Sequence, residues 1–205
     1  MQLILASNNK NKLKEMSALL GLLGLNLVAQ DQLQIPEAEE PYFTFVENAL
    51  AKARHASRLG NKPAIADDSG LSVQVLGGAP GVQSARYAQL AGQPKSDAAN
   101  NALLLERLST HSERRARFIC ALVAVRHADD PEPLIAMGRW EGEILPALRG
   151  SGGFGYDPLM FIPALGKSVA ELSKEEKNEH SHRAQAMKQM RLLMRDYWSD
   201  LLPAA

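Results

Sequence analysis

Ala64–Leu76 reads AIADDSGLSVQVL. An apolar run, Ala64–Ala66, meets two adjacent acids, Asp67 and Asp68. Ser69–Gly70 carries a turn signal, and Leu71–Leu76 alternates apolar and polar with period two, as a half-buried strand does. Acids at a strand end beside a glycine turn sit where α/β proteins place their chemistry. In extended backbone Asp67 and Asp68 point to opposite faces, so only one of them enters a given site. Taken alone, the stretch is equally well read as a solvated acidic turn.

Upstream, Gln2–Ala6 is a short apolar run and the expected first strand. A polar loop follows, Ser7-Asn8-Asn9-Lys10-Asn11-Lys12, and then Leu13, Met16, Leu19 and Leu20 recur at helical spacing. Strand, small-polar loop and helix present free backbone N–H groups to a phosphate, and Lys10 and Lys12 add charge. The GxxxxGK[ST] pattern of a Walker A loop is absent, and a helix cap with two solvated lysines is the plain alternative. Leu25–Ala29 reads as a second strand, and Gln30–Pro41 as a loop with an acid cluster, Glu37, Glu39 and Glu40. Such a cluster is ordinarily solvated, but it also offers oxygen ligands to a hard cation. A helix is expected from Thr44, with Thr44 and Glu47 at capping-box spacing. Phe45, Val46, Ala49, Leu50 and Ala53 form its apolar stripe, and Lys52 lies on the helix leading into the Asp68 strand.

Downstream, GGAPGV (Gly77–Val82) punctuates the fold, and Asp97–Leu108 reads as a helix. Ala116–His127 and Pro133–Leu145 read as an antiparallel pair with no crossover helix, so the sheet is expected to be mixed. Gly150–Pro158 (GSGGFGYDP) is too glycine-rich for a strand or helix core, and lets backbone approach a ligand closely. Phe154 within it offers a flat face to a planar base, with Tyr156 and Asp157 as polar edges; packing onto the core is the alternative. Ser168–Asn178 reads as a polar linker with a helical turn. Ser181 is placed to cap a final amphipathic helix carrying Met187, Met190 and Met194 as core fillers. His182 and Arg183 fall in its first turn, where cations oppose the helix dipole.

The 205 residues suit one substantial core, read as a single domain over 1–205. Lys plus Arg, at 23, equal Asp plus Glu, at 23, so no basic excess calls for nucleic acid. The single cysteine, Cys120, cannot form an internal disulfide and reads as a small buried hydrophobe in RFICALVAV. MQLILA is too short for a signal peptide and no apolar run approaches about 18 residues, so a soluble cytoplasmic protein without membrane contact is expected.

Five stretches then combine: LASNNKNKLKEM (Leu5–Met16), TFVENALAKARHA (Thr44–Ala56), AIADDSGLSVQVLGGAPGVQSARYA (Ala64–Ala88), GGFGYDP (Gly152–Pro158) and ELSKEEKNEHSHRAQA (Glu171–Ala186). In this order they resemble the inosine triphosphate pyrophosphatase family, hydrolases of non-standard purine nucleoside triphosphates, over nearly the whole chain. AIADDSGL followed by GGAPG and SARY is the most specific of them. The resemblance implies an elongated α/β fold, a mixed β-sheet flanked by helices, with two lobes around a central cleft, and a homodimer. It implies Mg²⁺-dependent cleavage between the α and β phosphates, giving a monophosphate and pyrophosphate. It assigns the phosphates to Ser7, Asn8, Asn9, Lys10, Asn11 and Lys12, with Lys52 nearby. It assigns the metal to Glu40 and Asp68, proton acceptance to Asp68, and a substrate contact to Ser69. Phe154 is the stacking residue, Gly155, Tyr156 and Asp157 complete its pocket, and Lys177, His182 and Arg183 read the base edge. Two departures stand out: Ser7-Asn8-Asn9 replaces the frequent T-G-N, and Pro41-Tyr42 replaces the T-G pair after Glu40.

The chemistry agrees with that mapping. Triphosphate hydrolysis needs charge neutralisation, aligned phosphates and a positioned water. Mg²⁺ takes one or two carboxylates plus phosphate oxygens and water, the count that Glu40 and Asp68 supply. Two rivals remain at this level: a pyrophosphatase for standard or pyrimidine nucleotides, and a non-catalytic nucleotide-binding or sensor protein that would tolerate losing Asp68.

Overall fold

Apolar Gln2–Leu5 forms strand β1, and the chain returns through helix α1 (Lys10–Leu20) to β2 (Asn26–Ala29), paired parallel to it from Gln2↔Asn26 to Leu5↔Ala29. The computed structural model describes residues 2–20, 24–199 and 201, apart from the side chains of Lys10, Asn11, Glu15, Ala18 and Leu19. Helix α2 (Phe45–Gly60) leads to β3 (Ala64–Val73), which pairs parallel to β1 through Ile4↔Ala64 and Leu5↔Ile65. Helices α3 (Tyr87–Leu90) and α4 (Asp97–Arg107) precede β4 (Arg115–Val125) and β5 (Leu134–Ile144). Strands β6 (Met160–Ile162) and β7 (Lys167–Ser168) follow, then helices α5 (Lys174–His180) and α6 (His182–Tyr197). The strands form one sheet in the order β2-β1-β3-β4-β5-β6-β7. Residues 126–133 are too few for a crossover, so neighbours β4 and β5 run antiparallel. Pairs β5–β6 and β6–β7 are antiparallel as well, so the sheet is mixed, as expected from the sequence.

The chain divides into two compact units. The first comprises residues 1–68, 120–138 and 183–205. Its sheet is covered on both faces, because alternate residues of each strand serve different helices. Leu3, Leu5, Ile65 and Leu122 meet Met16 and Leu20 of α1 and Met187, Met190 and Met194 of α6. Ile4, Ala64, Ala66 and Val123 meet Ala49, Ala53 and Ala56 of α2. Cys120 is fully buried with a free thiol, as its apolar setting predicts, and burial pushes that thiol up to about 12. The second unit comprises residues 69–119 and 139–182, with Leu71, Val73, Leu104, Trp140, Ile144 and Leu159 in its core.

Two expectations are corrected. Ser69–Gly70 is not a turn: β3 runs unbroken from Ala64 to Val73, and Gln74–Leu76 closes it as a 3₁₀ turn rather than as strand. Gly70 lacks the positive φ a tight turn would give it, and sheet pairing overrides the local turn preference. Ser168–Asn178 is no linker: Ser168 belongs to β7, Val169–Glu171 is a 3₁₀ turn, and Ser173 caps α5 in a capping box with Glu176.

Candidate active site

Asp67 and Asp68 lie next to each other in β3, 1% and 5% exposed, and strand alternation sends them to opposite faces of the sheet. Asp67 shares the face of Ile65, toward α1 and α6. There Lys12 Nζ of α1 lies 3.1 Å and Arg183 Nη2 of α6 lies 3.5 Å from its Oδ2. Burial works against the Asp67 carboxylate, but Lys12, Arg183 and Lys52 outweigh it and hold its pKa well below the usual range. Asp68 shares the face of Ala64 and Ala66, toward α2. Lys52 Nζ of α2 lies 3.3 Å from its Oδ1, and Asn48 Nδ2 donates to its Oδ2 at 3.4 Å. Here burial prevails: with Glu40 and Asp67 it raises the Asp68 pKa above the ordinary value, against the pull of Lys52 and Lys12. Two neighbouring acids thus differ in kind. One is a fixed anion; the other holds a proton more readily and makes a stronger base once ionised.

Thr44 caps α2 by accepting from Glu47 N–H at 3.2 Å. The expected capping box is altered, since the Glu47 carboxylate accepts instead from the Thr44 hydroxyl at 2.7 Å. From that helix Lys52 reaches Glu40 Oε1 at 2.5 Å as well as Asp68, so two carboxylates converge on one ammonium. Burial favours the neutral amine, yet Asp68, Asp67 and Glu40 outweigh it and raise the Lys52 pKa. Asn48, one turn before Lys52 and 1% exposed, grips both polar groups of Tyr42. Its Oδ1 accepts from Tyr42 N–H at 3.0 Å and its Nδ2 donates to the Tyr42 carbonyl at 3.1 Å. The Pro41-Tyr42 departure is therefore tied to the same side chain that touches Asp68. Among the described residues no three His, Cys, Asp or Glu side chains group as a metal site.

The loop after β1 is ordered by its own side chains. Ser7 Oγ accepts from Asn9 N–H at 3.2 Å, and Asn9 Oδ1 accepts from Lys12 N–H at 3.2 Å, an N-cap on α1. Asn8 Oδ1 accepts from Gln30 Nε2 at 2.9 Å. Lys10 and Asn11 open α1, but their side chains lie outside the described ones. Ser69 follows Asp68 in β3, half-buried.

In the second unit Asp157, 4% exposed, organises the glycine-rich loop. Its Oδ2 accepts from Phe154 N–H at 3.0 Å and from Lys177 Nζ of α5 at 2.7 Å. Gly153 has φ +74° and sits so close to that carboxylate that a β-carbon would collide with it. Lys177 Nζ also stands 4.6 Å from the Phe154 ring centroid, a cation–π contact on one face of the ring. The Tyr156 side chain is buried, its hydroxyl donating to the Ser84 carbonyl at 2.9 Å, and burial raises its pKa. Gly155 is held from α4: Asp97 Oδ2 accepts from its N–H at 2.7 Å, and Asn101 Nδ2 donates to its carbonyl at 2.9 Å.

The structure thus brings together Lys12, Asp67 and Arg183; Glu40, Lys52 and Asp68; and Phe154, Asp157 and Lys177. His182 and Arg183, consecutive in the chain, take separate partners: the buried His182 ring stacks on Phe118 at 5.0 Å and 26°, while Arg183 meets Asp67. Each of the two side chains that open α6 therefore has a partner of its own. Sequence reasoning missed Asn48, Asp97 and Asn101. Asn48 and Asn101 carried a signal, as polar residues on the buried side of their helices.

The Ham1 family pattern matches residues 3–193. The chain belongs to the Ham1 family. It is 65% identical over 189 residues to a dITP/XTP pyrophosphatase of Ralstonia nicotianae, covering 92% of this chain and 94% of that one. To a dITP/XTP pyrophosphatase of Burkholderia pseudomallei it is 62% identical over 187 residues, 91% and 90% of the two chains. Among solved Ham1 structures, a HAM1 protein from Coxiella burnetii superposes with TM-score 0.89 at 43% identity, over 96% of this chain and 99% of that one. The Staphylococcus aureus Ham1 protein gives 0.85 at 37% identity, with the same coverage. The resemblance drawn from the five stretches is borne out by these matches. Among the described residues no helix is long and apolar enough to cross a membrane.

Proposed function

We propose that this Ham1 protein is a nucleoside triphosphate pyrophosphatase acting on non-standard purine nucleotides, those of inosine, deoxyinosine and xanthosine. It would release the monophosphate and pyrophosphate and so keep these bases out of DNA and RNA. The observation that carries the reading is the division of labour between Asp67 and Asp68, in a chain whose close relatives are named dITP/XTP pyrophosphatases.

Asp67 neutralises and anchors Lys12 and Arg183, leaving both cations fixed on one face of β3. The loop Ser7–Asn9 and the start of α1 are assigned to the phosphates, with backbone N–H groups and Lys12 as donors. Asp68 is assigned the proton of the attacking water: its raised proton affinity suits a general base, and Lys52 keeps it ionised and oriented. Glu40 and Asp68 already converge on one cation, the Lys52 ammonium, and two hard carboxylates suit Mg²⁺ together with phosphate oxygens. Bound there, Mg²⁺ would supply charge neutralisation on the triphosphate and a template for its oxygens. Lys52 would then turn toward the phosphates, exchanging carboxylate partners for phosphate ones.

The base is assigned to the Phe154 ring, with Gly155, Tyr156 and Asp157 shaping the loop around it. Lys177, beside that ring, is assigned to the base edge, and His182 and Arg183 are assigned there by family resemblance. A homodimer and a cytoplasmic location belong to the same proposal. A panel of nucleoside triphosphates assayed with Mg²⁺ tests it: inosine and xanthosine triphosphates should turn over, with ATP, GTP and pyrimidine nucleotides far behind.

A further inference from the structure

Asp97 and Asn101 stand one turn apart on α4, at i and i+4, so both side chains project from one face of the helix. They take the two polar groups of a single residue. Asp97 accepts from Gly155 N–H at 2.7 Å, and Asn101 donates to the Gly155 carbonyl at 2.9 Å. Gly155 sits at φ +61°, next to Phe154, in a loop where Gly150 and Gly153 also hold left-handed backbone. Such a segment has many states open to it. Helix α4 itself is firmly mounted: Leu103 and Leu104 are buried, and Asn100 Oδ1 accepts from Ala88 N–H at 2.8 Å. Asn101 Oδ1 is buried with no hydrogen-bond partner among the described residues. Rotating the amide would set its oxygen against the Gly155 carbonyl, so the donor to Gly155 fixes its orientation.

We propose that Asp97 and Asn101 are positioning residues for the base end of the site, holding the Gly155 peptide so that Phe154 is set for stacking before a purine arrives. This rests on the reading that Phe154 stacks on the base. The clamp ties the mobile class of backbone to a rigid element, so the ordering cost is met on folding rather than on binding. It also occupies the Gly155 N–H, as Asp157 occupies that of Phe154, so neither amide is free to meet a base edge. Rejection of guanine's 2-amino group therefore falls to groups other than these two amides.

The test compares Asp97→Ala, Asn101→Ala, Asp97→Asn, Asn101→Asp and Phe154→Ala with the wild type. Losing the clamp should raise KM for inosine and xanthosine triphosphates alike by about tenfold, with kcat changed less than about twofold, the pattern of lost uniform binding. Inosine monophosphate binding, measured by calorimetry, should weaken by the same factor. Gly155 amide hydrogen exchange, followed by NMR, should accelerate in the Asp97 and Asn101 alanine variants. Asp97→Asn keeps an acceptor and should restore most of the affinity. Asn101→Asp keeps the shape but loses the donor and should behave as the alanine variant, which separates the clamp from mere packing. The paired alanine variant should be no worse than its weaker member, because both act through one peptide. Clamp variants with wild-type KM, while Phe154→Ala raises it, overturn the positioning role and leave base stacking standing. Wild-type KM in Phe154→Ala overturns the stacking reading and the positioning role with it.

Discussion

Asp67 and Asp68 share a peptide bond and little else: Asp67 Oδ2 lies 3.1 Å from Lys12 on the face of α1 and α6, while Asp68 Oδ1 lies 3.3 Å from Lys52 on the face of α2. Period-two alternation puts the sheet itself between them. The same alternation gives them separate surroundings without any difference in residue type, Lys12 and Arg183 for Asp67 and Lys52 and Asn48 for Asp68, and it is Asp68 that is proposed to take the proton.

Asp68→Asn keeps shape and the contact with Lys52 but removes the base. Steady-state turnover of inosine triphosphate should drop by about 10²–10⁴-fold, the usual worth of a positioned general base. Nucleotide binding should persist. A variant of normal rate would show that Asp68 takes no proton.

Asp67 should reveal itself in stability and its pH dependence. Asp67→Asn leaves Lys12 and Arg183 facing a neutral amide in a buried site, at a cost of about 3–5 kcal/mol at neutral pH. The folded-state pKa of Asp67 is lowered, so its contribution is present above the unfolded value near about 3.9 and fades as pH falls through the folded one. Denaturant unfolding of wild type and variant should therefore converge as pH is lowered below about 4. A gap that widens on acidification would contradict the assignment of Asp67 as the fixed anion.

Asn48→Ala should loosen the Glu40 side of the site. It leaves Tyr42 N–H and carbonyl without their partner, and because Tyr42 is 45% exposed and open to water the stability cost should fall below the about 1–3 kcal/mol of a fully buried group. The Mg²⁺ concentration giving half-maximal rate should rise, because the Asp68 carboxylate and the Tyr42 backbone, two residues after Glu40, lose the side chain that joins them. Thermal unfolding without metal and a Mg²⁺ titration together check this. Wild-type values in both would remove Asn48 from the account.

Much of this was legible in advance, for identifiable reasons. Strand β1, the Thr44 start of α2 and the methionine stripe of α6 follow from local patterns that tertiary structure leaves intact. The opposed faces of Asp67 and Asp68 followed from extended backbone alone. Ser69–Gly70 misled because its turn preference is weaker than the pairing of β3 in the sheet. Strand β7 has only Lys167 and Ser168, too few for any period, whereas the Ser173–Glu176 box that starts α5 was readable. Asp97 and Asn101 act on the Gly155 peptide, 58 and 54 residues along the chain, and a single sequence does not name such long-range partners; Asn48, six residues from Tyr42, shows only as a polar residue on the buried side of its helix.

Base choice separates Phe154 from Arg183. Phe154→Ala should weaken all purine triphosphates by similar factors, since every base has a π-face. Arg183 is always a donor; set against the 6-amino group of adenine it would leave buried donors unpaired, and sites of that kind reject the wrong partner by about 10⁴–10⁵. Arg183→Ala should therefore lose activity on inosine triphosphate and narrow its margin over ATP. An unchanged ratio of kcat/KM for the two nucleotides would confine Arg183 to its ion pair with Asp67.

Water is proposed to attack between the α and β phosphates of a non-standard purine nucleotide. Phosphorus NMR of inosine triphosphate turnover with Mg²⁺ tests it most directly. Inosine monophosphate and pyrophosphate should be the primary products, appearing together and in equal amounts. Orthophosphate and inosine diphosphate as the primary products would contradict it.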